Sequence, residues 1–243
     1  MAAGPPLSIP ASPTLVGSGR VVVIIPALNE EDAIVRVLAD IPDFVHEVIV
    51  VDNGSEDATP TRAAAAGARV VLEPRRGYGQ ACLAGMAALP EDTDIVVFLD
   101  GDYSDHPEEM DDLVEPLRRD AADLVIGSRV LGEREPGALL PQARFGNALA
   151  TFLIRQLYGV RYTDLGPFRA IRRDALIRIG MVDRDFGWTV EMQVKAARHG
   201  LRGIEVPVSY RRHHAGASKV TGTLTGSFRA GWKILLTIFR HIR

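Results

Sequence analysis

Two aspartates one residue apart, Asp100 and Asp102, close the apolar run of VVFLDGDYSDHPEE. In an extended chain residues i and i+2 point to the same side, so the two carboxylates face together. Each then raises the other's proton affinity unless a cation lies beside them. Mg2+ or Mn2+ answers that repulsion, because hard cations keep one or two carboxylates and fill their shell with phosphate oxygens. A capped turn, with Ser104 or Asp105 leading into HPEE, explains the same residues without a metal. The choice rests on what else the chain brings to that place.

Several other stretches combine turn-formers with groups that bind nucleotides or phosphates. VDNGSEDATP offers Asp52 to a base or ribose and Gly54 for close backbone approach, although Asp, Asn and Gly are also what a turn requires. EPRRGYGQA sets Arg76 beside Gly77 and Gly79, which suits a nucleotide edge, yet it has neither GxxxxGK[ST] nor GxGxxG spacing. Arg129 ends VIGSR and Arg144 precedes a long helix; each guanidinium fork suits phosphate oxygens or a plain surface role. Glu191 in WTVEMQV is a base or one half of an ion pair with Arg172 or Arg211. Asp164 in YTDLGPF caps a turn or touches substrate. HExxH, paired CxxC and GxSxG are all missing, and the adjacent His213 and His214 are too few for a zinc site.

These residues need a frame. The chain has 243 residues, 47% of them apolar, enough for one sizeable core. RVVVIIP, HEVIVVD, ARVVLE, DIVVFLD and ADLVIGS read as strands separated by helical stretches, which predicts an α/β fold with a doubly wound, mostly parallel sheet. Ligands of such sheets bind beyond the C-terminal ends of the strands. PALNE, VDNGSED, EPRRGYG, LDGDYSD and GSR therefore share one crevice. From residue 130 the rhythm changes to a loop and long helix, a short strand, the strongly amphipathic helix GWTVEMQVKAARHG, and a final strand GIEVPVSYRRH.

The predicted organisation is a flexible leader over 1–19, one catalytic domain over 20–227 and an amphipathic helix over 228–243. Residues 20–129 form the nucleotide-binding half of the domain and 130–227 the acceptor-binding half. Formal net charge is -3, but no acidic residue follows Glu205, while Arg211, Arg212, Lys219, Arg229, Lys233, Arg240 and Arg243 are basic. That tail predicts an anionic partner, and without interleaved aromatics it is no nucleic-acid platform. Cys82 is the single cysteine, in a helix-core setting that fits a reducing, cytoplasmic compartment. No window approaches the ~20 apolar residues of a membrane span. The final helix suits the membrane surface, with Trp232, Ile234, Leu235, Leu236, Ile238 and Phe239 toward lipid, or else packs on the core.

PALNEE, VDNGSEDAT, RGYGQA, FLDGDYSDHPE, VIGSR, TDLGPFRAIRR and WTVEMQ, in this order, resemble a family 2 glycosyltransferase of the GT-A, nucleotide-diphospho-sugar transferase fold. The resemblance is to the branch with dolichyl-phosphate mannosyltransferases and bacterial polyprenyl-phosphate glycosyltransferases. It implies a UDP- or GDP-hexose donor lying among Pro26, Ala27, Asn29, Glu30, Asp52 and the Arg76 to Gly79 loop. It makes Asp102 the principal metal ligand, with Asp100 and Gly101 beside it, and puts Ser104 where the mannosyltransferases use a metal-holding glutamine. Arg129 and Arg144 match arginines that receive the acceptor phosphate. RRHHAGASKV, with Arg211, Ser218 and Lys219, resembles a flexible loop that closes over the diphosphate. The implied reaction is inverting displacement onto a polyprenyl phosphate, which needs no protein base. A small soluble hydroxyl acceptor would need one, from Asp164 or Glu191. A nucleotidyltransferase or a nucleotide-binding module is the alternative outside this class.

Overall fold

The computed structural model describes residues 19–212 and 233–240. Its centre is β1 (Val21–Ala27), whose first five residues are buried, followed by α1 (Ile34–Ala39) and β2 (Val45–Asp52). The β-branched run favours a strand, and burial on both faces explains why it does not alternate with polar residues. Pro26 follows the last β1–β4 pair, Ile24 with Phe98, so its missing N–H breaks no bond to that neighbour. Next come α2 (Thr59–Ala65), β3 (Arg69–Leu72), α3 (Tyr78–Ala87) and β4 (Ile95–Phe98). A single 3-10 turn at Pro107–Glu109 opens α4 (Met110–Arg118), and β5 (Leu124–Ser128) completes the first half.

The second half supplies α5 (Pro141–Tyr158), β6 (Arg169–Arg172), α6 (Arg173–Ile179), α7 (Trp188–Arg198) and β7 (Gly203–Pro207). The sheet runs β3-β2-β1-β4-β6-β5-β7. It is parallel except for β6, which lies antiparallel between β4 and β5. The doubly wound, mostly parallel expectation holds, and the reversed strand is the addition. Alternate strand residues serve opposite faces. Val22, Ile24, Val96 and Phe98 pack with α3, α5 and α7, and Val21, Val23, Ile25 and Val97 pack with α1, α2 and α4.

Two expected elements differ. The helix α7 is buried nearly all round through Trp188, Val190, Glu191, Met192, Gln193, Val194 and Ala196, and is not a surface amphipathic helix. Of the C-terminal helix, 233–240 is described and helical. Ile238 is fully buried in the core and Ile234 packs on the same cluster, while Leu236 and Phe239 are exposed. The expected lipid face is thus partly a packing face. No helix among the described residues is long and apolar enough to cross a membrane.

Candidate active site

The loops after β1, β2, β3, β4 and β5 open on one cavity of about 1930 Å³, whose far wall is α5 with residues 162–167 and 184–186. Small-molecule pockets typically span about 300–1,000 Å³, so this space suits two substrates side by side.

Along the loops after β2 and β3 the wall is a lattice of side chain to backbone bonds. The Nδ2 of Asn53 donates to the carbonyls of Glu73 and Arg75 at 2.9 and 2.8 Å, and its Oδ1 accepts the N–H of Gly77 at 2.8 Å. One amide therefore fixes the loop that carries Arg76. Glu73 receives Arg75 through two bonds of 2.9 Å, which with the Arg75 N–H hold its carboxyl down at about 2. Asp52 is buried, and its carboxylate accepts the N–H groups of Gly54 and Ser55. Asn29, at φ 52°, ties this turn to the β1 loop by accepting the Glu56 N–H at 2.8 Å.

The glycines of RGYG serve packing. A Cβ at Gly77 (φ +141°) would lie 2.2 Å from the Arg184 carbonyl oxygen, and one at Gly79 2.2 Å from that of Asp183. This contact brings Arg184, Asp185 and Phe186 to the cavity. It is held from below by Glu191, whose carboxylate accepts the N–H groups of Val182 and Asp183 and pairs with Lys195 at 2.7 Å.

Beneath the middle of the cavity the acidic turn gathers Asp100, Asp102 and Asp105. Tyr78 donates to Asp100 at 2.9 Å. Ser104 donates to one oxygen of Asp102 through its N–H at 2.9 Å and its hydroxyl at 2.5 Å. Burial first, and then the Asp102 charge, lifts Asp100 well above the usual carboxylate range. Asp105 is lifted further by burial and by both neighbours, and both its oxygens are buried with no hydrogen-bond partner. Carboxylates crowded in this way fit a hard divalent cation. Asp100 and Asp102 line the cavity and would hold it. No cluster of three metal-ligating side chains exists among the described residues.

At the far end Arg129 is held bidentately by Asp164, Nε to Oδ2 at 2.7 Å and Nη2 to Oδ1 at 2.8 Å, with its Cζ 5.0 Å from the Tyr210 ring centre. Burial opposes the Arg129 charge, but Asp164 outweighs it and keeps the guanidinium more firmly protonated than usual. Burial likewise raises Asp164, and Arg129 brings it below the ordinary value. Arg144 and Arg155 stand exposed on α5 among the exposed Phe145 and Phe152, and all four line the cavity.

Of the residues expected at the site, Pro26, Ala27, Glu30, Arg76, Gly77, Asp100, Gly101, Asp102, Arg129 and Arg144 line this cavity. The other described ones do structural work beside it, and five expectations are corrected. Ser104 is fully buried and spends its hydroxyl on Asp102, so it orients that carboxylate and is not itself open to the cavity. Glu191 has its carboxylate on backbone N–H groups and Lys195, away from the cavity, so it is no base. Asp164 is fully buried against Arg129 and positions that cation. Arg211 reaches the Asp105 carbonyl and Glu108 and stacks on Tyr103, bracing the acidic turn from outside. Gly79 is a contact point for the 183–184 backbone. Asp52, Gly54 and Asn29 shape the turn next to the cavity. Ser218, Lys219 and the rest of the expected closing loop from residue 213 on lie outside the described residues. The cavity residues Asn53, Tyr78, Asn147 and Tyr210 were missed by the sequence reading. Asn53 alone left a local signal, in VDNGSED.

Taken together, a GT-A sheet with an acidic turn at the end of β4 and cations opposite defines a nucleotide-sugar transferase. Residues 22–180 match the model of glycosyl transferase family 2, and the chain belongs to that family. It is 41% identical to an uncharacterized glycosyltransferase of Mycobacterium tuberculosis over 88% of this chain and 97% of that one. It is 36% identical to the undecaprenyl-phosphate mannosyltransferase of Micrococcus luteus over 85% and 90%. Glucosyl-3-phosphoglycerate synthase of Mycobacterium tuberculosis, solved with Mn2+, UDP-glucose and phosphoglyceric acid, superposes with a TM-score of 0.74 at 28% identity, covering 92% of this chain and 79% of that one.

These findings correct the acceptor expectation. Structures of glucosyl-3-phosphoglycerate synthase hold phosphoglyceric acid, a small soluble phosphate ester, and not a polyprenyl phosphate. Membership of the polyprenyl-phosphate branch and the lipid-phosphate acceptor are therefore not retained.

Proposed function

We propose that this glycosyltransferase moves a hexose from a UDP-sugar to a hydroxyl of a small soluble, phosphate-bearing acceptor, with a divalent cation held by Asp100 and Asp102. One observation carries this reading: the acidic turn and the cations Arg129 and Arg144 face the same cavity, with room for two substrates. It is supported by the Mn2+, UDP-glucose and phosphoglyceric acid found together in glucosyl-3-phosphoglycerate synthase.

The Asn53-braced loop, with Arg76, receives the nucleotide. When bound, the cation neutralises charge growing on the departing diphosphate. Ser104 holds Asp102, and Tyr78 holds Asp100, in the orientation that this requires. Arg129, fixed by Asp164, meets the acceptor's phosphate as a rigid fork. The bond from C1 to the β-phosphate oxygen breaks and the acceptor oxygen bonds to C1. The hydroxyl proton passes to solvent, since Asp164 and Glu191 are both engaged elsewhere.

The test is nucleoside diphosphate release (UDP or GDP) from a panel of UDP- and GDP-hexoses with Mn2+ or Mg2+, using phosphoglycerate and glycerol 3-phosphate as acceptors. Release that needs the acceptor and vanishes in Asp102→Ala supports the reading. Release that is indifferent to both acceptors overturns it.

A further inference from the structure

Arg129 and Arg144 come from different elements, so something must set the distance between them. Arg129 leaves the end of β5 and is gripped by Asp164 from the 162–166 segment. Arg144 stands near the start of α5, a half-helix with little holding it. The residues that α5 buries are Ala150, Thr151 and Ile154, all in its second half.

Asn147 lies three residues beyond Arg144, on the same side of the helix. Its Oδ1 accepts the N–H of Leu165 at 2.9 Å and its Nδ2 donates to the carbonyl of Thr163 at 2.9 Å. These flank Asp164, the residue that holds Arg129. Among the described residues, no other side chain in 141–149 makes a hydrogen bond to another element. The 162–166 segment is itself fixed from the other side. Glu205 accepts the N–H groups of Thr163 and Asp164 at 2.8 and 3.0 Å, and Gln193 donates to the Asp164 carbonyl at 3.0 Å. A Cβ on Gly166 would come within 2.6 Å of the Gly127 carbonyl oxygen, so the segment sits hard against β5. The Asn147 amide is thus the polar link between a fixed arginine and a loosely held one.

We propose that Asn147 is a positioning residue that sets the spacing of Arg144 against Arg129, and through it the preference for an acceptor that carries a phosphate. The inference rests on the proposed small phosphate-bearing acceptor. A bidentate amide holds the helix in one register; without it the place of Arg144 against Arg129 is no longer fixed, and misplacement by about 1 Å costs up to about 10²-fold in rate.

The experiment compares wild type, Asn147→Ala and Asn147→Asp, with UDP-glucose and Mn2+, on glycerol 3-phosphate and on glycerol. Asn147→Asp keeps the acceptor for Leu165 and loses the donor to Thr163, so it stands in if the alanine variant does not fold. Calorimetric binding of glycerol 3-phosphate in the presence of UDP and Mn2+ is read beside turnover. Expected are a KM for glycerol 3-phosphate and a Kd raised about tenfold in Asn147→Ala, less in Asn147→Asp. The loss on glycerol, which has no phosphate to meet Arg144, is smaller, so the preference for glycerol 3-phosphate falls. An unchanged phosphate preference and Kd in both variants, or an equal loss on both acceptors, overturns the inference. Wild type that binds glycerol 3-phosphate Asn147-dependently but transfers no sugar overturns the proposed function and leaves the inference standing. Wild type that does not bind it overturns both.

Discussion

At the donor end of the cavity Asn53 engages its whole carboxamide with three backbone groups, and Gly77 and Gly79 touch the neighbouring loop with no room for a methyl group. At the acceptor end Arg144 and Arg155 stand exposed beside Phe145, which is 72% exposed, and α5 buries nothing over its first two turns. The donor end is preorganised, so binding there loses little conformational freedom. The acceptor end offers charge and apolar surface that a ligand has still to cover. Enzymes of similar build can then differ in acceptor, as the names of this chain's relatives do.

The sharpest break between the two ends comes from the acidic turn. Asp102→Ala removes a carboxylate that lines the cavity and is oriented by two bonds from Ser104. Turnover should fall by roughly 10³-fold, the scale of losing an electrostatic stabiliser of the departing group, and Mn2+ binding followed by paramagnetic resonance should weaken in parallel. Turnover close to wild type would remove the metal from the reading.

Next in size is Asp164→Asn, at the acceptor end. The pair with Arg129 is buried, and breaking such a pair typically costs about 3–5 kcal/mol. The acceptor kcat/KM should drop by about 10²-fold while the KM for the donor holds. The pH dependence has a definite sign. Because the folded Asp164 sits below its ordinary value, its stabilisation is complete above the unfolded value of about 3.9 and fades as pH falls through the lower folded one. Acid unfolding midpoints should therefore show wild type losing stability below about pH 4 more steeply than the variant. A donor KM that rises as much as the acceptor KM would erase the division between the ends.

Gly77→Ala probes the donor end without touching charge. The new Cβ meets a backbone oxygen at 2.2 Å in a left-handed conformation, and overpacking of that kind costs roughly 1–3 kcal/mol. Thermal unfolding should record the loss, and the KM for UDP-sugar should rise more than that for acceptor.

What the sequence made legible follows the same division. Strands β1, β2 and β4 and the turns after them are local patterns, so the donor crevice could be placed from VVVIIPALNE, VIVVDNGSED and VVFLDGDYSD. Asn53 escaped because its partners lie 20 to 24 residues away, and Asp52 beside it looked like the more reactive group. The antiparallel place of β6 depends on which strands close around it, which no local period encodes. Asp164 and Glu191 looked like bases because an acid in an apolar stretch invites a chemical role. Their partners, Arg129 at 35 residues and the 182–183 backbone across a turn, appear only in three dimensions.

Glu191 gives the smallest expected effect on turnover, and it separates the two explanations of a buried acid most cleanly. It lies in the first turn of α7 with no exposed surface, accepting from Val182 at 3.1 Å and Asp183 at 2.7 Å and paired with Lys195 at 2.7 Å. Glu191→Gln keeps the shape and an acceptor oxygen for the loop, while Lys195 keeps its bond to the Gly180 carbonyl. The loss is that of charge-assisted bonds, about 1.5–3 kcal/mol, which lowers the melting temperature by several degrees in a chain this long. The loop it steadies is the one that Gly77 and Gly79 contact, so any kinetic effect belongs to the donor KM, with kcat within about threefold of wild type. A general base would instead cost about 10²–10⁴-fold in kcat. A loss on that scale, at an unchanged melting temperature, would return Glu191 to the chemistry and take away the support that makes the donor end the stiffer of the two.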